Sequence, residues 1–516
     1  MTAFAARVLP EWRPPAAAAA VEPPPRLDWS GPARVRPLLD ADPRGGYDLG
    51  SFSAALARCG LFDNRLVALP GATVVLPAGM RLVERFAALV HGAYRAAGLA
   101  EVEFPLVAPR SAYTPLAGVL RLDGRLLHCT TDGERGEAPR MTLGPSGEAV
   151  IYDAWRRQVR HAADLPIEIY RRARFFRPAS PGRHSGRGIL RPLESGDVFE
   201  LHCAYATEPE QQAALERFFA MFAGLAEACH VPILWSVRPP WSNQWEIARW
   251  ALAGDVPLPI GATVQAASLY DQGQILSRAY GIGVRRRGAF EPTFQLAGAL
   301  TRRLLLCHLM LGSTGDGFVM HPDLAADQVG LTVQARAAGD PAALDALAAE
   351  LRAGGLRVAA AVAPTPAAVR KRQRELAAHA VPVQALLQGR RGDGDRWRAV
   401  VTRADTGQEL GTTLEEPRQL APLLHAAVRE VGAAWTARAR RWFAGRWQEA
   451  DRASLRDILR ARLVAVCPLA PAETVVSEVG SWGLGEVLGY ARAAGEQPCV
   501  LSGALTSTVG IMSPRV

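Results

Sequence analysis

Residues 303–311 read RLLLCHLML, a segment apolar on nearly every face of a helix. Such a helix has no solvent side, so the chain must bury it. At 516 residues the chain is too long for a single core, and domains of roughly 100 to 250 residues predict two to four. Hydrophobic residues make up 49% and charged residues 21%, a globular balance without the charge excess of a disordered chain.

The first 45 or so residues are rich in alanine and proline and are expected to form a flexible arm. In MRLVERFAALVHGAYRAAG, Leu82, Phe86, Leu89, Val90 and Tyr94 recur at helical spacing, and Gly98 offers a stop. EVEFPLVAP then alternates like a strand ending near Pro105. From about 125 to 330, strand-like runs such as ILWSVR and FVMH alternate with amphipathic helices, including EQQAALERFFAMFAGLAEA. This reads as an antiparallel or mixed sheet with helices around it. From Val329 strands and helices alternate through VGLTVQA, LRVAAAV, VPVQALLQG and WRAVVTRA, which predicts a small separate α/β domain.

The net charge of +9 is almost entirely arginine, because Lys371 is the one lysine. Arginine suits bidentate contact with phosphate, although the same bias arises from a GC-rich genome. The arginines gather on FRPASPGRHSGRGILRPLES at 176–195, where Arg177, Arg183, Arg187 and Arg191 precede the first acid, Glu194. The seven cysteines contain no CxxC pair, so neither a disulfide framework nor a four-cysteine zinc site follows. The N-terminus has no signal-peptide pattern and no run of about 18 apolar residues occurs, so a cytoplasmic protein without membrane contact is expected.

Several further segments carry chemistry: LGPSGEAVIY at 143–152, DLPIEIYRRARFFRP leading into the arginine loop, GILRPLES, VFELHCAYATEPEQ, VQAASLYDQGQILSRAYGI and LAGALTRRLLLCHLMLGSTGDGFVMHPDLAADQVGL. Read alone, Ser146 and Glu148 fit a helix start equally well, Ser146 as cap and Glu148 in the first turn. Taken in order, however, these segments resemble one family over roughly residues 50 to 516: the class II prolyl-tRNA synthetases, especially the archaeal and eukaryotic-like branch. ELHxAxATE is the most specific match.

The resemblance implies an α/β (α+β) multidomain chain: a class II antiparallel-sheet catalytic core over 46–328, an anticodon-binding-like domain over 329–440, and a small C-terminal domain over 446–516. It implies catalysis by Arg177 and Arg302. ATP would be held by Arg177, Arg191, Gln265, Ser268 and Arg302, accompanied by Mg2+. The amino acid would be held by Ser146, Glu148, Val198, Glu200, His202 and Tyr270. Partners would be proline or an analogue, tRNA or another acyl acceptor, and a second copy in a homodimer.

The chain departs from the family at the adenine glutamate, here Ala179, at the pocket tryptophan, here Val198, and at a histidine, here Tyr270. Losing an aromatic wall opens room in the pocket, so the expected ligand is a proline analogue or another amino acid. Three functions are consistent with these residues: a ligase charging tRNA, an adenylate-forming paralogue serving a carrier protein or small molecule, and a non-catalytic synthetase-like binding protein. Retention of the phosphate arginines favours an enzyme.

Where the family's C-terminal domain binds zinc through four cysteines, only Cys467 and Cys499 stand here, and two thiolates do not close a tetrahedral site. Elemental analysis of the purified protein is expected to find no stoichiometric zinc, and a chelator should leave the melting temperature unchanged. A bound metal at one equivalent would overturn this reading of the tail.

Overall fold

In a computed structural model the helix Arg303–Leu311 is buried from Leu304 to Leu311. The structure describes residues 27–35, 37, 47–69, 71–117, 119, 126–130, 140–177, 189–190, 194–239, 246–286, 288–334, 340–389 and 396–514. The helix packs against the central sheet, which has 11 strands. In spatial order these are Trp447–Glu449, Val464–Pro468, Leu505–Pro514, Gly485–Pro498, Leu234–Val237, Trp250–Pro257, Thr263–Gly273, Phe294–Thr301, Glu194–Tyr205, Ile167–Phe176 and Ala100–Glu101. All pairs are antiparallel except the two at the sheet's ends.

The two faces of this sheet differ in composition, as alternation along each strand requires. Phe199, Leu201, Cys203, Leu252, Leu269, Leu296 and Leu300 enter one core with Leu82, Phe86 and Tyr94 of the helix Pro77–Ala96 and Phe218 and Phe222 of the helix Glu208–Ala228. The second of these helices begins at a capping box, with Thr207 and Glu210 satisfying each other's backbone N–H groups. On the other face the helix Glu148–Gln158 packs Tyr152 and Trp155 against Ala204, Leu276 and Tyr280. That second face carries the polar side chains described below.

Residues 329–414 form a separate sheet of five strands in the order Val358–Ala363, Val329–Gln334, Val383–Gly389, Trp397–Arg403, Glu409–Leu414. Val329, Leu331 and Val333 face the helices Asp340–Ala353 and Ala421–Ala444. Gly330, on the opposite face, leaves room for Leu376 of the helix Pro366–Ala378. The edge strand Glu409–Leu414 was not expected; ELGTTL is short and half-exposed, so its alternation is faint.

Three other expectations differ from the structure. EVEFPLVAP is not one strand: pairing is confined to Ala100–Glu101 and Val107–Pro109, with Pro105, which lacks an N–H, between them. FVMH forms no strand, only a bridge between Ser313 and Phe318. The expected flexible arm lies mostly outside the described residues, and of its described part residues 27–35 are docked. Ser30 N–H donates to Glu409 O at 2.7 Å, Leu27 N–H to Glu430 Oε2 at 3.1 Å, and Arg403 covers the Trp29 ring. Leu27 and Trp29 are apolar anchors that average composition hides.

The four strands after residue 446 extend the large sheet, joining it where Tyr490 lies opposite Val237. Their side chains, among them Val466, Val487 and Ile511, enter the same core as Leu234 and Val256. Gly489 allows the contact, since a Cβ there would lie 2.4 Å from Ser236 Oγ and 2.5 Å from Val237 O. Gly489→Ala is therefore expected to cost about 1–3 kcal/mol by overpacking and to sensitise 485–514 to limited proteolysis. A variant with unchanged melting temperature and digestion pattern would show that this junction does not stabilise the chain.

Candidate active site

Strand register brings the expected amino-acid residues together. Across the sheet Ser268 lies opposite Ala299, Ala299 opposite Glu200 and Glu200 opposite Arg171. One pleat away, Tyr270, Ala297, His202 and Ile169 form the next row, and Val198 lies between Thr301 and Ala173. Directly paired residues share a face, as do residues two apart on one strand. Val198, Glu200, His202, Ser268 and Tyr270 therefore line one surface. Ala297 and Ala299 stand between them, and Ala251 and Ala253 flank Tyr270 and Ser268 on the far side, so small side chains leave the surface open.

Glu200 is 4% exposed and accepts a hydrogen bond from Arg171 Nε, itself on a side chain buried between the Phe104 and Phe175 rings. Its other oxygen lies 3.3 Å from His202 Nε2. Burial works against the charged form of Glu200, yet His202 and Arg171 together hold its carboxyl below the usual range. His202 Nδ1 lies 3.3 Å from Tyr152 Oη, which donates to Gln272 Oε1.

Glu148 begins the helix and Tyr152 follows one turn later, so both face the sheet. Gly147 permits the approach: a Cβ there would sit 2.1 Å from Glu200 Oε1. Glu148 is 8% exposed, and its Oε2 has no hydrogen-bond partner. A buried carboxylate oxygen left open in this way suits a donor brought by a ligand. Ser146 does not cap the helix, whose N-cap is Gly147 without a side-chain bond; it lies in the turn just before. Arg177 is exposed at the same turn, its Nε donating to Pro145 O at 3.0 Å.

Arg302 follows Thr301, which pairs with Val198. Its Nε lies 3.2 Å from Asp197 Oδ2 and its backbone N–H donates to Asp197 O. Phe62 lies beneath the guanidinium, and burial lowers its pKa. Asp197 also accepts from Arg172 Nε at 2.8 Å. Gln265 lies beyond a register shift opposite Gly254 and Asp255. Val264, Ala266 and Ala267 enter the core, while Gln265 Oε1 accepts from Arg238, which pairs through two bonds with Asp255. Arg191 and Ala179 lie outside the described residues.

Sequence reasoning missed Arg171, Tyr152, Gln272, Asp197 and Arg238. Tyr152 and Gln272 stand inside the segments singled out above, and Tyr152 was recoverable from its four-residue spacing to Glu148. Arg171 was hidden because its partner is 29 positions away. Elsewhere, His230, His321 and Asp323 cluster near Trp435. The two imidazoles stack with centroids 3.3 Å apart, and His321 Nδ1 already accepts from Asp323 N–H. A metal bound in the plane of one ring would lie well out of the plane of the other, so the group reads as a hydrogen-bonded clasp.

The large, mostly antiparallel sheet and its flanking helices have the fold of the class II aminoacyl-tRNA synthetases. Within that class the likeness is to prolyl-tRNA synthetases. The Giardia lamblia enzyme, solved in complex with prolyl-adenylate, superposes with a TM-score of 0.77 at 18% identity, covering 90% of this chain and 98% of that one. The Cryptosporidium parvum enzyme, solved with halofuginone and AMPPNP, gives 0.77 at 15% identity over 90% and 97%. In sequence, the proline–tRNA ligase of Pyrococcus horikoshii is 25% identical over 280 residues, 54% of this chain and 57% of the relative. That of Thermococcus kodakarensis is 25% identical over 312 residues, 60% and 64%. The chain thus spans less than two thirds of the length of these curated relatives. No protein-family model matches it.

Because the folded pKa of Glu200 lies below its ordinary value of 4.5, its stabilising contribution is present above pH 4.5 and is lost as pH falls through the folded value. Glu200→Gln should destabilise the protein near neutral pH by about 3 kcal/mol, because Arg171 is left buried without a counter-charge. The gap between variant and wild type should narrow as pH drops below 4.5, read by urea unfolding across pH. A gap independent of pH would show that Glu200 is not ionised in the folded protein.

Proposed function

We propose that the protein is an ATP-dependent amino-acid ligase that activates proline or a related amino acid as an aminoacyl-adenylate and passes it to tRNA. The observation that carries this reading is the open Glu148 carboxylate set against the Glu200–His202 pair, with Arg177 and Arg302 at its margins. The curated relatives are named proline–tRNA ligases, and one structural neighbour holds prolyl-adenylate. In this reading residues 46–328 are catalytic, 329–440 bind the anticodon region, and 446–516 brace the sheet. The active form is a cytoplasmic homodimer.

Activation joins a carboxylate oxygen of the amino acid to the α-phosphorus of ATP and expels pyrophosphate. Glu148 receives the substrate's protonated nitrogen in a charge-assisted hydrogen bond, fixing the carboxylate's direction. Glu200, held rigid by Arg171, lends the pocket negative charge near that nitrogen. Arg177, exposed beside the Ser146 turn, meets the α-phosphate, where negative charge grows as pyrophosphate departs. Arg302 meets the terminal phosphate, and Gln265 and Ser268 the nucleoside. Mg2+ bound with ATP would supply counter-charge for its phosphates.

Pyrophosphate exchange with each amino acid, with and without tRNA, tests this. Exchange with proline or a close analogue and acylation of tRNA are expected; exchange without acylation would move the acceptor to a carrier protein or small molecule, and no exchange at all would reject an enzyme. Arg302→Ala and Arg177→Ala should each slow exchange by about 3 kcal/mol in the transition state. Both should fold, since Asp197 keeps Arg172 and Arg177 is exposed. Near-normal exchange in either variant would remove that arginine from the mechanism.

A further inference from the structure

Gln272 is fully buried, and its carboxamide is only half used. Oε1 accepts from Tyr152 Oη, and Nε2 has no hydrogen-bond partner. A buried amide edge without a partner costs about 1–3 kcal/mol, whereas an apolar side chain of similar volume would cost nothing there. The residue is not on the face packed by Glu208–Ala228 but on the one covered by Glu148–Gln158. Its neighbour Asp271 points to the first of these and binds Gln211 and Arg249, while Gln272 reaches Tyr152 on the polar face.

Tyr152 ties this amide to the amino-acid anchors. It lies one turn from Glu148 and 3.3 Å from His202 Nδ1, whose far nitrogen faces Glu200. Arg171, Glu200, His202, Tyr152 and Gln272 thus form one polar chain drawn from four elements, ending at an unsatisfied amide. Tyr152 has one hydroxyl proton. Donated to Gln272, it leaves Nε2 free; donated to His202, it lets the amide turn and leaves Oε1 free. A hydroxyl, which both donates and accepts, satisfies either arrangement.

We infer that Gln272 is a specificity-determining residue whose free amide edge receives a hydroxyl on the substrate, so that the preferred substrate is a hydroxylated cyclic amino acid. This rests on the reading of the site as an amino-acid activation pocket and narrows it. Sites that hydrogen-bond a substrate hydroxyl reject the analogue lacking it far more strongly than apolar pockets reject a misfit methylene.

The test is pyrophosphate exchange and calorimetry with proline and the cis and trans isomers of 3- and 4-hydroxyproline, on wild type, Gln272→Leu and Gln272→Met. At least one hydroxyproline isomer should exceed proline in kcat/KM by about tenfold or more in wild type, and both variants should lose that preference. Calorimetry reads the same ranking where turnover is lost, and melting curves verify folding. Proline outranking every hydroxylated isomer in wild type overturns the inference while leaving amino-acid activation standing. Variants that lower proline and hydroxyproline in equal proportion overturn it too, showing that Gln272 meets only trapped water. Absence of both binding and exchange with every amino acid would remove the activation reading itself.

Discussion

The Arg171–Glu200 ion pair is buried between the ninth and tenth strands of the sheet, and the geometry of the pocket depends on it. Two charges this deeply buried are costly unless each is matched by close partners. Glu200 is matched on both oxygens, by Arg171 and by His202. Arg171 in turn lies against two aromatic rings. The pair fixes the position of His202, which meets Tyr152, and Gly147 lets the helix start close over Glu200. A sheet face lined by alanines would hold no such arrangement by packing alone. The electrostatic match supplies the direction that small side chains cannot.

Much of the candidate site was legible because its residues lie close together in sequence. Val198, Glu200 and His202 alternate on one strand, so a single short segment displays three residues of one face. Arg302 opens a helix whose apolar surround is visible from RLLLCHLML alone. What could not be read was set by distance along the chain. Arg171 finds Glu200 through strand pairing, and Arg238 reaches both Asp255 and Leu488 O, 250 positions away. Gln265 was placed beside this network by a register shift, and no periodicity announces a bulge. The strand expected through Pro105 and the one expected at FVMH failed for the opposite reason. Their apolar content was read correctly, but a missing N–H in one case and pairing confined to a single bridge with Ser313 in the other left no ladder.

The arginine content takes on a different meaning once the structure is known. Many guanidinium groups are already committed: Arg238 to Asp255, Arg249 to Asp271, Arg403 to Asp405 and Glu430, Arg172 to Glu84 and Asp197. A net positive charge therefore overstates the number of cations available to phosphate. Arg177 differs from these in being exposed and bonded to a backbone carbonyl, with no carboxylate partner among the described residues. In the proposed function, position, and not abundance, separates a phosphate ligand from a structural cation.

The joining of Gly485–Pro498 to Leu234–Val237 has a consequence for how the chain reaches this state. Leu234–Val237 occupies an interior place in the sheet, but its neighbour on one side is supplied some 250 residues later. During synthesis that strand presents an unpaired edge of N–H and C=O groups for as long as the ribosome takes to make the intervening stretch. At about 5–20 residues per second this is tens of seconds, ample time for association with the same edge on a neighbouring nascent chain. Arg238, at the end of that strand, is a charge of the kind that blunts such edges. In the finished sheet it is held by Asp255 and donates in addition to Leu488 O. The residue that locks the finished sheet thus also guards the unfinished one.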